Sequence, residues 1–206
     1  MARSRSLTAI AAGYLVGMAC YSGLPGPYLQ LALEPALVRP LIAFLLPTVA
    51  AATYAILQHL WAHDFTRSLE FLPDTVYEAI VFRCMSFLMA LHTLLLAELV
   101  GIDWLGAWAG RGALILLGLW LVSVGNLLPR TRPNLVIGLR TPRTLTDRRL
   151  WIDTHRMSGY VAVGLGAVLA ISGAFVNGST LPRVVGTAAM VAGIVLLRSY
   201  WRLSHA

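Results

Sequence analysis

Residues 40 to 62 read PLIAFLLPTVAAATYAILQHLWA, and this stretch decides the class of fold. It contains no Asp, Glu, Lys or Arg over 23 consecutive residues. A helix of about 20 apolar residues crosses the ~30 Å hydrocarbon core of a bilayer. Because lipid offers the backbone no hydrogen bonds, such a segment must satisfy its own peptide groups as a helix. The stretch therefore predicts a transmembrane α-helix.

The rest of the chain repeats this apolar pattern. Of the 206 residues, 58% are hydrophobic and 12% are charged, and the mean hydropathy is +0.73, which excludes an ordinary soluble domain. We predict an all-α, polytopic transmembrane bundle of about six helices, at residues 7–24, 40–62, 78–100, 106–128, 157–175 and 181–200. We divide the chain into an N-terminal three-helix region, 1–100, and a C-terminal three-helix domain, 101–206, whose basic loop covers 129–156.

The arginines predict the orientation of the bundle. All sixteen basic residues are Arg, and positively charged loops are retained in the cytoplasm. Three fall in loops on one side of the predicted membrane: Arg39, Arg111 and Arg183. Twelve fall on the other side: Arg3, Arg5, Arg67, the seven from Arg130 to Arg156, Arg198 and Arg202. Both termini and the basic loop are therefore predicted to be cytoplasmic. This distribution also explains the net charge of +7 without a nucleic-acid partner.

Two further patterns concern the helices themselves. Small residues recur four apart at Gly13 and Gly17 and at Ala162, Gly166 and Ala170, which favours close helix packing within one monomer. The chain has two cysteines, and the topology places them at depths that differ by roughly 10 Å. A disulfide requires Cα atoms within about 7 Å, so Cys20 and Cys84 should be free thiols.

The most specific stretch is 125–159, GNLLPRTRPNLVIGLRTPRTLTDRRLWIDTHRMSG. Prolines at 129 and 133 prevent the fourth helix from continuing, and Gly138 permits a sharp turn. Thr144 followed by Asp147 predicts a capping box that opens an amphipathic helix. On that helix Asp147, Trp151 and His155 recur every four residues and share a face. The stretch is thus a helix end, a constrained loop and a helix start.

At these residues the chain resembles the SdpI family, whose pattern runs Gly-Asn, Pro, Asn, Gly-x-Arg-Thr-Pro, Thr-Leu, Trp, Thr-His-Arg and Gly. The similarity extends in apolar character over residues 106–200, and Arg143 departs from the aromatic residue common at its position. The resemblance implies a multi-pass protein of the bacterial cytoplasmic membrane that protects against a membrane-active peptide toxin or takes part in related signalling. Its expected partners are the lipid bilayer and a peptide toxin or cytoplasmic regulator.

The motif supplies the candidate partner-binding residues, which are Asn126, Asn134, Arg140, Thr144, Trp151, His155 and Arg156. Arg140 sits between a glycine turn and Thr-Pro, where its planar fork would bind a phosphate, a carboxylate or helix carbonyls; binding and structural clamping are equally compatible. The topogenic interpretation applies to Arg130, Arg132, Arg148 and Arg149, and Trp151 and Tyr160 are interpreted as anchors at headgroup depth. The Asn126 amide is expected to bond another helix or freed backbone, and packing is the favoured interpretation. His155 is expected to donate to Asp147 or another loop carboxylate or to respond to pH near neutrality, with a satisfied interfacial histidine as the default.

Several ionisable groups fall within the predicted helices. Arg83 is within reach of the inner interface by snorkelling. His92 lies past mid-depth, so it should face the bundle interior as a buried polar residue that is paired with another helix. His59 and His63 have metal-ligand spacing, but no Cys or carboxylate pattern accompanies them, so we expect no metal site.

Three functions compete at this stage. Immunity against a toxin follows from the resemblance. A small-solute transporter or channel would use buried His92, although no internal repeat supports it. An enzyme acting on lipid headgroups would use His155 beside Arg140, but the chain offers no nucleophile or metal motif. We therefore expect no catalytic residues, no enzyme and no cofactor.

The arginine distribution yields a direct test of topology. Reporter fusions after Arg39, Gly101 and Asn177 should report the external side, and fusions near Arg67 and Arg143 the cytoplasm, because positive loops are retained there. An external signal at Arg143 would contradict the whole arrangement.

Overall fold

The computed structural model describes residues 2–24, 35–63, 74–102, 109–175 and 181–205. Within these ranges the chain forms seven α-helices, joined in places by short 3₁₀ turns at Tyr21–Gly23 and Leu128–Arg130. The helices are α1 (Ala2–Cys20), α2 (Pro35–Ala62), α3 (Asp74–Val100), α4 (Ala109–Gly125), α5 (Pro142–Thr146), α6 (Arg148–Phe175) and α7 (Leu181–His205).

Six helical segments are long and apolar enough to cross a membrane, which confirms the predicted multi-pass bundle. The candidate spans are Ser4–Gly23, Val38–Ala62, Thr75–Val100, Gly110–Arg130, Arg148–Phe175 and Val184–Trp201. The predicted start of the fifth span at residue 157 is wrong, because α6 already begins at Arg148. No proline or glycine interrupts the residues between Arg148 and Met157, so the amphipathic helix and the span are continuous.

The helices α1, α2 and α3 contact one another and enclose two clusters of buried apolar residues. The larger of them, called here the apolar cluster, includes Trp61 and Tyr77, whose rings stack at 3.9 Å between centroids. Tyr77 also donates a hydrogen bond of 2.6 Å to the carbonyl of Leu57. Gly13 lies against Met89 of α3, and Gly17 lies against the backbone of Ala43 in α2. These small residues therefore pack within the monomer, as their spacing predicts.

A second contact joins α4 to α6 through glycines spaced seven residues apart on both helices. We call this set the glycine seam, and it consists of Gly118, Gly125, Gly159, Gly166 and Gly173. A methyl group on Gly166 would lie 2.5 Å from the carbonyl oxygen of Gly118, and one on Gly159 would lie 2.7 Å from that of Gly125. Seven residues are about two helical turns, so the glycines keep to one face of each helix. The two backbones are therefore in direct contact along an antiparallel pair.

His92 of α3 faces the interior and is 0% exposed. The polar group that approaches its ring is the carbonyl of Ala43, yet neither ring nitrogen has a partner with hydrogen-bond geometry. Pro47 lies four residues after Ala43 and has no N–H, so the helix leaves this carbonyl without its usual donor. The pairing expected for His92 is therefore not formed as a hydrogen bond among the described residues, and the freed carbonyl of Ala43 is the polar group near its ring.

Both cysteines, Cys20 and Cys84, are free thiols, as the predicted depths required. Cys20 ends α1, whereas Cys84 lies in the half of α3 that precedes the buried His92. Each is partly buried.

The seam predicts opposite effects for one substitution at two glycines of α6. Gly166→Ala should destabilise the protein by about 1–3 kcal/mol, because the added methyl meets backbone atoms that no side-chain movement relieves. Gly164→Ala is the matched control, since no atom lies within 4 Å of its added methyl group. Thermal unfolding in detergent should show a lower Tm for the first variant only. Equal Tm values would contradict direct backbone contact.

Candidate functional site

The motif stretch 125–159 contains a folded loop between α4 and α6, at the ends of these helices that are predicted to be cytoplasmic. After Gly125 the chain turns at Asn126 and Leu127 and forms the 3₁₀ turn Leu128–Arg130. It then has no regular secondary structure as far as Thr141. Much of this segment is held by hydrogen bonds from side chains to backbone. The loop therefore has a defined shape that its polar residues build.

Asn134 organises the first half of the loop. It is 2% exposed, and its side-chain nitrogen donates to the carbonyl of Arg132 at 2.7 Å. Its side-chain oxygen accepts from the backbone N–H groups of Val136 and Ile137 at 2.9 and 2.7 Å. One buried amide thus fixes the backbone on both sides of itself, as Asn does in tight turns.

Thr144 organises the second half. It is fully buried, donates its hydroxyl to the carbonyl of Leu139 at 2.9 Å and accepts from the backbone N–H of Thr141 at 2.8 Å. Thr141 in return accepts from the N–H of Thr144, so the two form the capping box of the short helix α5. The predicted box of Thr144 with Asp147 is wrong. The sequence signal for the correct pair was Thr141 before Pro142, a cap followed by proline at the first helical position.

Asp147 has a different role from the one predicted. Its carboxylate accepts from the backbone N–H groups of Arg149 and Leu150 at 2.8 and 3.1 Å, so it caps the N-terminus of α6. The expected bond from His155 to Asp147 is absent from the described contacts, since both nitrogens of His155 bind other groups.

His155 joins the loop to α6. Its Nε2 atom accepts from the backbone N–H of Leu139 at 3.0 Å, and its Nδ1 atom lies 2.8 Å from the carbonyl of Trp151. Because a carbonyl only accepts, Nδ1 carries the proton and the ring is the neutral tautomer. Gly138 lies over the ring with φ at 115°, and a Cβ there would overlap Nε2. Glycine is required both by that conformation and by the contact.

Trp151 lies beneath this network. It is 0% exposed, stacks on His155 at 3.8 Å between ring centroids and donates from Nε1 to the carbonyl of Thr131 at 3.1 Å. Its interpretation as an anchor at headgroup depth is therefore wrong, whereas Tyr160 is 61% exposed. No local pattern predicts the role of Thr131, because its partner lies 20 residues away.

Both halves of the bundle hold the loop. Val136 and Ile137 pack against the apolar cluster of the first three helices, which contains Trp61 and Tyr77. At the other end Tyr200 of α7 donates to the hydroxyl of Thr141 at 3.0 Å. The shape of the loop thus depends on α1–α3 and on α7, as well as on the two helices that it connects.

The remaining candidate residues face outward. Arg140 is exposed and donates to the carbonyl of Leu135 within the loop. Arg156 is exposed on α6, where its Nε donates to the hydroxyl of Tyr160 at 3.2 Å. Asn126 is also exposed, so its expected packing against another helix is wrong. The candidates therefore divide into four buried residues that shape the loop and three that reach its surface.

The exposed face of this region is strongly basic. Its exposed arginines are Arg130, Arg140, Arg143, Arg148, Arg149 and Arg156. Within the described ranges no group of three or more His, Cys, Asp or Glu side chains is placed to hold a metal ion. The rings of His59 and His63 lie 4.2 Å apart between centroids at the end of α2, tilted by 35°, and both residues are exposed. The region is suited to bind an anionic or acidic partner rather than a cation.

Sequence comparison identifies the motif. Residues 130–199 match the SdpI/YfhL protein family. This part of the chain, from the loop through most of α7, is similar to that family. The match contains six of the seven candidate loop residues, and Asn126 lies before it. The match extends through α6 and through α7 as far as residue 199, so Tyr200 lies directly after it.

The similarity also reaches the N-terminal helices. The immunity protein SdpI of Bacillus subtilis strain 168 is 25% identical over 201 residues, which are 95% of this chain and 92% of that protein. No solved structure matches the chain. The chain is therefore similar to this relative beyond the motif, over the apolar cluster that supports the loop.

A threonine pair tests whether the buried network holds the loop. Thr144→Val should weaken the local structure by about 1–3 kcal/mol, because it leaves the Leu139 carbonyl and the Thr141 N–H without a partner. Hydrogen exchange at residues 134–147 should become faster. Thr146→Val is the control, since exposed Thr146 bonds only carbonyls of its own helix among the contacts described. Faster exchange in both variants alike would contradict this role of Thr144.

Proposed function

We propose that this SdpI-like membrane protein is an immunity protein that protects its cell against a membrane-active peptide toxin. The observation that carries the proposal is the similarity to an immunity protein over 95% of this chain, through all six candidate spans. A shared motif alone would support a shared loop. Similarity over the supporting helices as well supports a shared activity.

We place the protein in the bacterial cytoplasmic membrane with both termini inside. The arginine distribution supports this orientation, because the loops of one side carry twelve arginines and those of the other carry three. The basic loop then faces the cytoplasm. In this arrangement residues 1–100 form the region that supports the loop, and residues 101–206 form the domain that carries it.

The working surface in this proposal is the outer face of the loop, with Arg140 at its centre. Asn134, Thr144, Trp151 and His155 lie inside and give that face its shape. Arg140 bonds the Leu135 carbonyl, which fixes the position of its guanidinium, and the group has further N–H donors for a carboxylate or phosphate. Its partner would be an acidic segment of the toxin or of a cytoplasmic regulator.

The geometry does not favour the enzyme alternative. His155 is 1% exposed and both its nitrogens are engaged within the loop, so it has no free position for proton transfer to a substrate. We therefore propose a function without catalysis or a cofactor. The transporter alternative can be tested with purified protein in liposomes. A transporter would move a solute across the liposome membrane, whereas a protein that only neutralises a toxin would not.

Arg140→Lys separates shape from charge in a protection assay. Cells of a toxin-sensitive strain that express the variant are challenged with the secreted peptide toxin of an SdpI system. The substitution keeps the charge that orients the protein but removes the planar fork, so we expect protection to fall roughly tenfold or more at unchanged membrane abundance.

Arg149→Lys is the matched control, since Arg149 is exposed on the same side and its side chain is interpreted as topogenic. It should protect like the unmodified protein. If the unmodified protein gives no protection, the proposed function fails. If both variants protect normally, the loop acts through charge alone and the assignment to Arg140 is wrong.

A further inference from the structure

A cavity of about 340 Å³ lies between α3 and α4, on a different side of α4 from the glycine seam. One end contains the polar side chains of Arg83, Ser86 and Ser123, and the rest is apolar. Leu119 on its border is 54% exposed, so this side of the cavity adjoins the bilayer. The cavity is separate from the loop network.

Arg83 marks the end of the cavity nearest the basic loop. Its guanidinium donates to the backbone carbonyl of Ser123, in the last turn of α4. That carbonyl is free of the helix ladder, because the N–H of Leu127 bonds Val124 instead. Arg83 therefore caps a neighbouring helix at its loop end, whereas the sequence predicted only that it would snorkel toward the interface.

Among the described residues that line the cavity there is no Asp or Glu to neutralise the charge of Arg83. A guanidinium has five N–H donors. A cation at the edge of the hydrocarbon is costly unless it is paired or hydrogen-bonded. The ligand that fits is an anion with several oxygen acceptors, and a phosphate accepts a guanidinium fork in bidentate geometry.

The apolar part of the cavity extends away from this charge. Its walls include Phe87 and Trp120, whose rings stack at 5.2 Å between centroids, and it reaches Ala90 on α3 and Leu116 on α4. Arg83 and Ala90 are seven residues apart, which is about 10 Å along a helix. A ligand that fills the cavity thus has an anionic head at the loop end and an apolar chain toward the membrane centre.

We propose that this cavity binds an anionic phospholipid from the leaflet next to the basic loop. The phosphate binds Arg83 beside the hydroxyls of Ser86 and Ser123, and one acyl chain packs along Phe87, Trp120 and Leu116. The polarity of the cavity, its opening to the bilayer and the charge at its loop end support this occupant. The site is independent of toxin protection, so either proposal stands if the other fails.

The test uses the full-length protein, purified in neutral detergent and titrated with phosphatidylglycerol or with phosphatidylcholine of the same acyl chains. Native mass spectrometry counts the bound lipids, and thermal unfolding follows stabilisation. We expect saturable binding of phosphatidylglycerol at one site, at least about tenfold tighter than phosphatidylcholine. Inorganic phosphate should give no stabilisation at the same concentration, because the apolar chain supplies part of the binding.

Two variants locate the site. Arg83→Gln removes the charge and should weaken phosphatidylglycerol binding about tenfold. Arg130→Gln is the control, because it removes an exposed arginine at the same end of the bundle and should leave phosphatidylglycerol binding unchanged. Ala90→Leu fills the apolar end while it leaves Arg83 in place, so the proposal stays testable if Arg83→Gln fails to fold. Equal affinity for the two lipids in the unmodified protein would overturn the proposal. Unchanged phosphatidylglycerol binding in Ala90→Leu would do so as well.

Discussion

The direct contact of two helix backbones along the glycine seam is the constraint on which the rest of this structure depends. Gly118 meets Gly166, and Gly125 meets Gly159, with no side chain between them. In lipid there is little hydrophobic gain when two helices associate, so van der Waals contact of this kind provides much of the attraction. The seam also fixes the distance between the end of α4 and the first turns of α6, and the loop must fold within that distance.

The loop meets this constraint with a core of its own. Its centre consists of polar side chains whose hydrogen-bonding groups are matched to backbone atoms, together with the stacked rings of Trp151 and His155. A buried polar network is stable only when its members are satisfied, and this one meets that condition at Asn134, Thr144 and His155. In this chain the motif is therefore largely a description of loop structure. Recognition by its exposed arginines belongs to the proposed function.

The two halves of the chain serve this arrangement differently. The N-terminal helices provide the apolar cluster on which Val136 and Ile137 rest, and α7 provides the hydroxyl of Tyr200. On the other side of α4, Arg83 caps the same helix end from which the loop departs. Occupancy of the cavity beside Arg83 and the shape of the loop thus share one structural element, the last turn of α4. Binding of a lipid at the proposed site would therefore act on the loop through the last turn of α4.

The amino-acid sequence by itself determined the class of fold, the approximate position of six membrane helices, the free thiols and the location of the loop. These features follow from apolar runs, breakers and small-residue spacing, which act within a few turns of one helix. Only the tertiary structure decided which motif residues turn inward. Trp151 can be buried because its Nε1–H donates a hydrogen bond to the carbonyl of Thr131, 20 residues away. Thr141 rather than Asp147 pairs with Thr144. Those partners meet because the seam brings α4 and α6 together, and a local pattern carries no information about that distance.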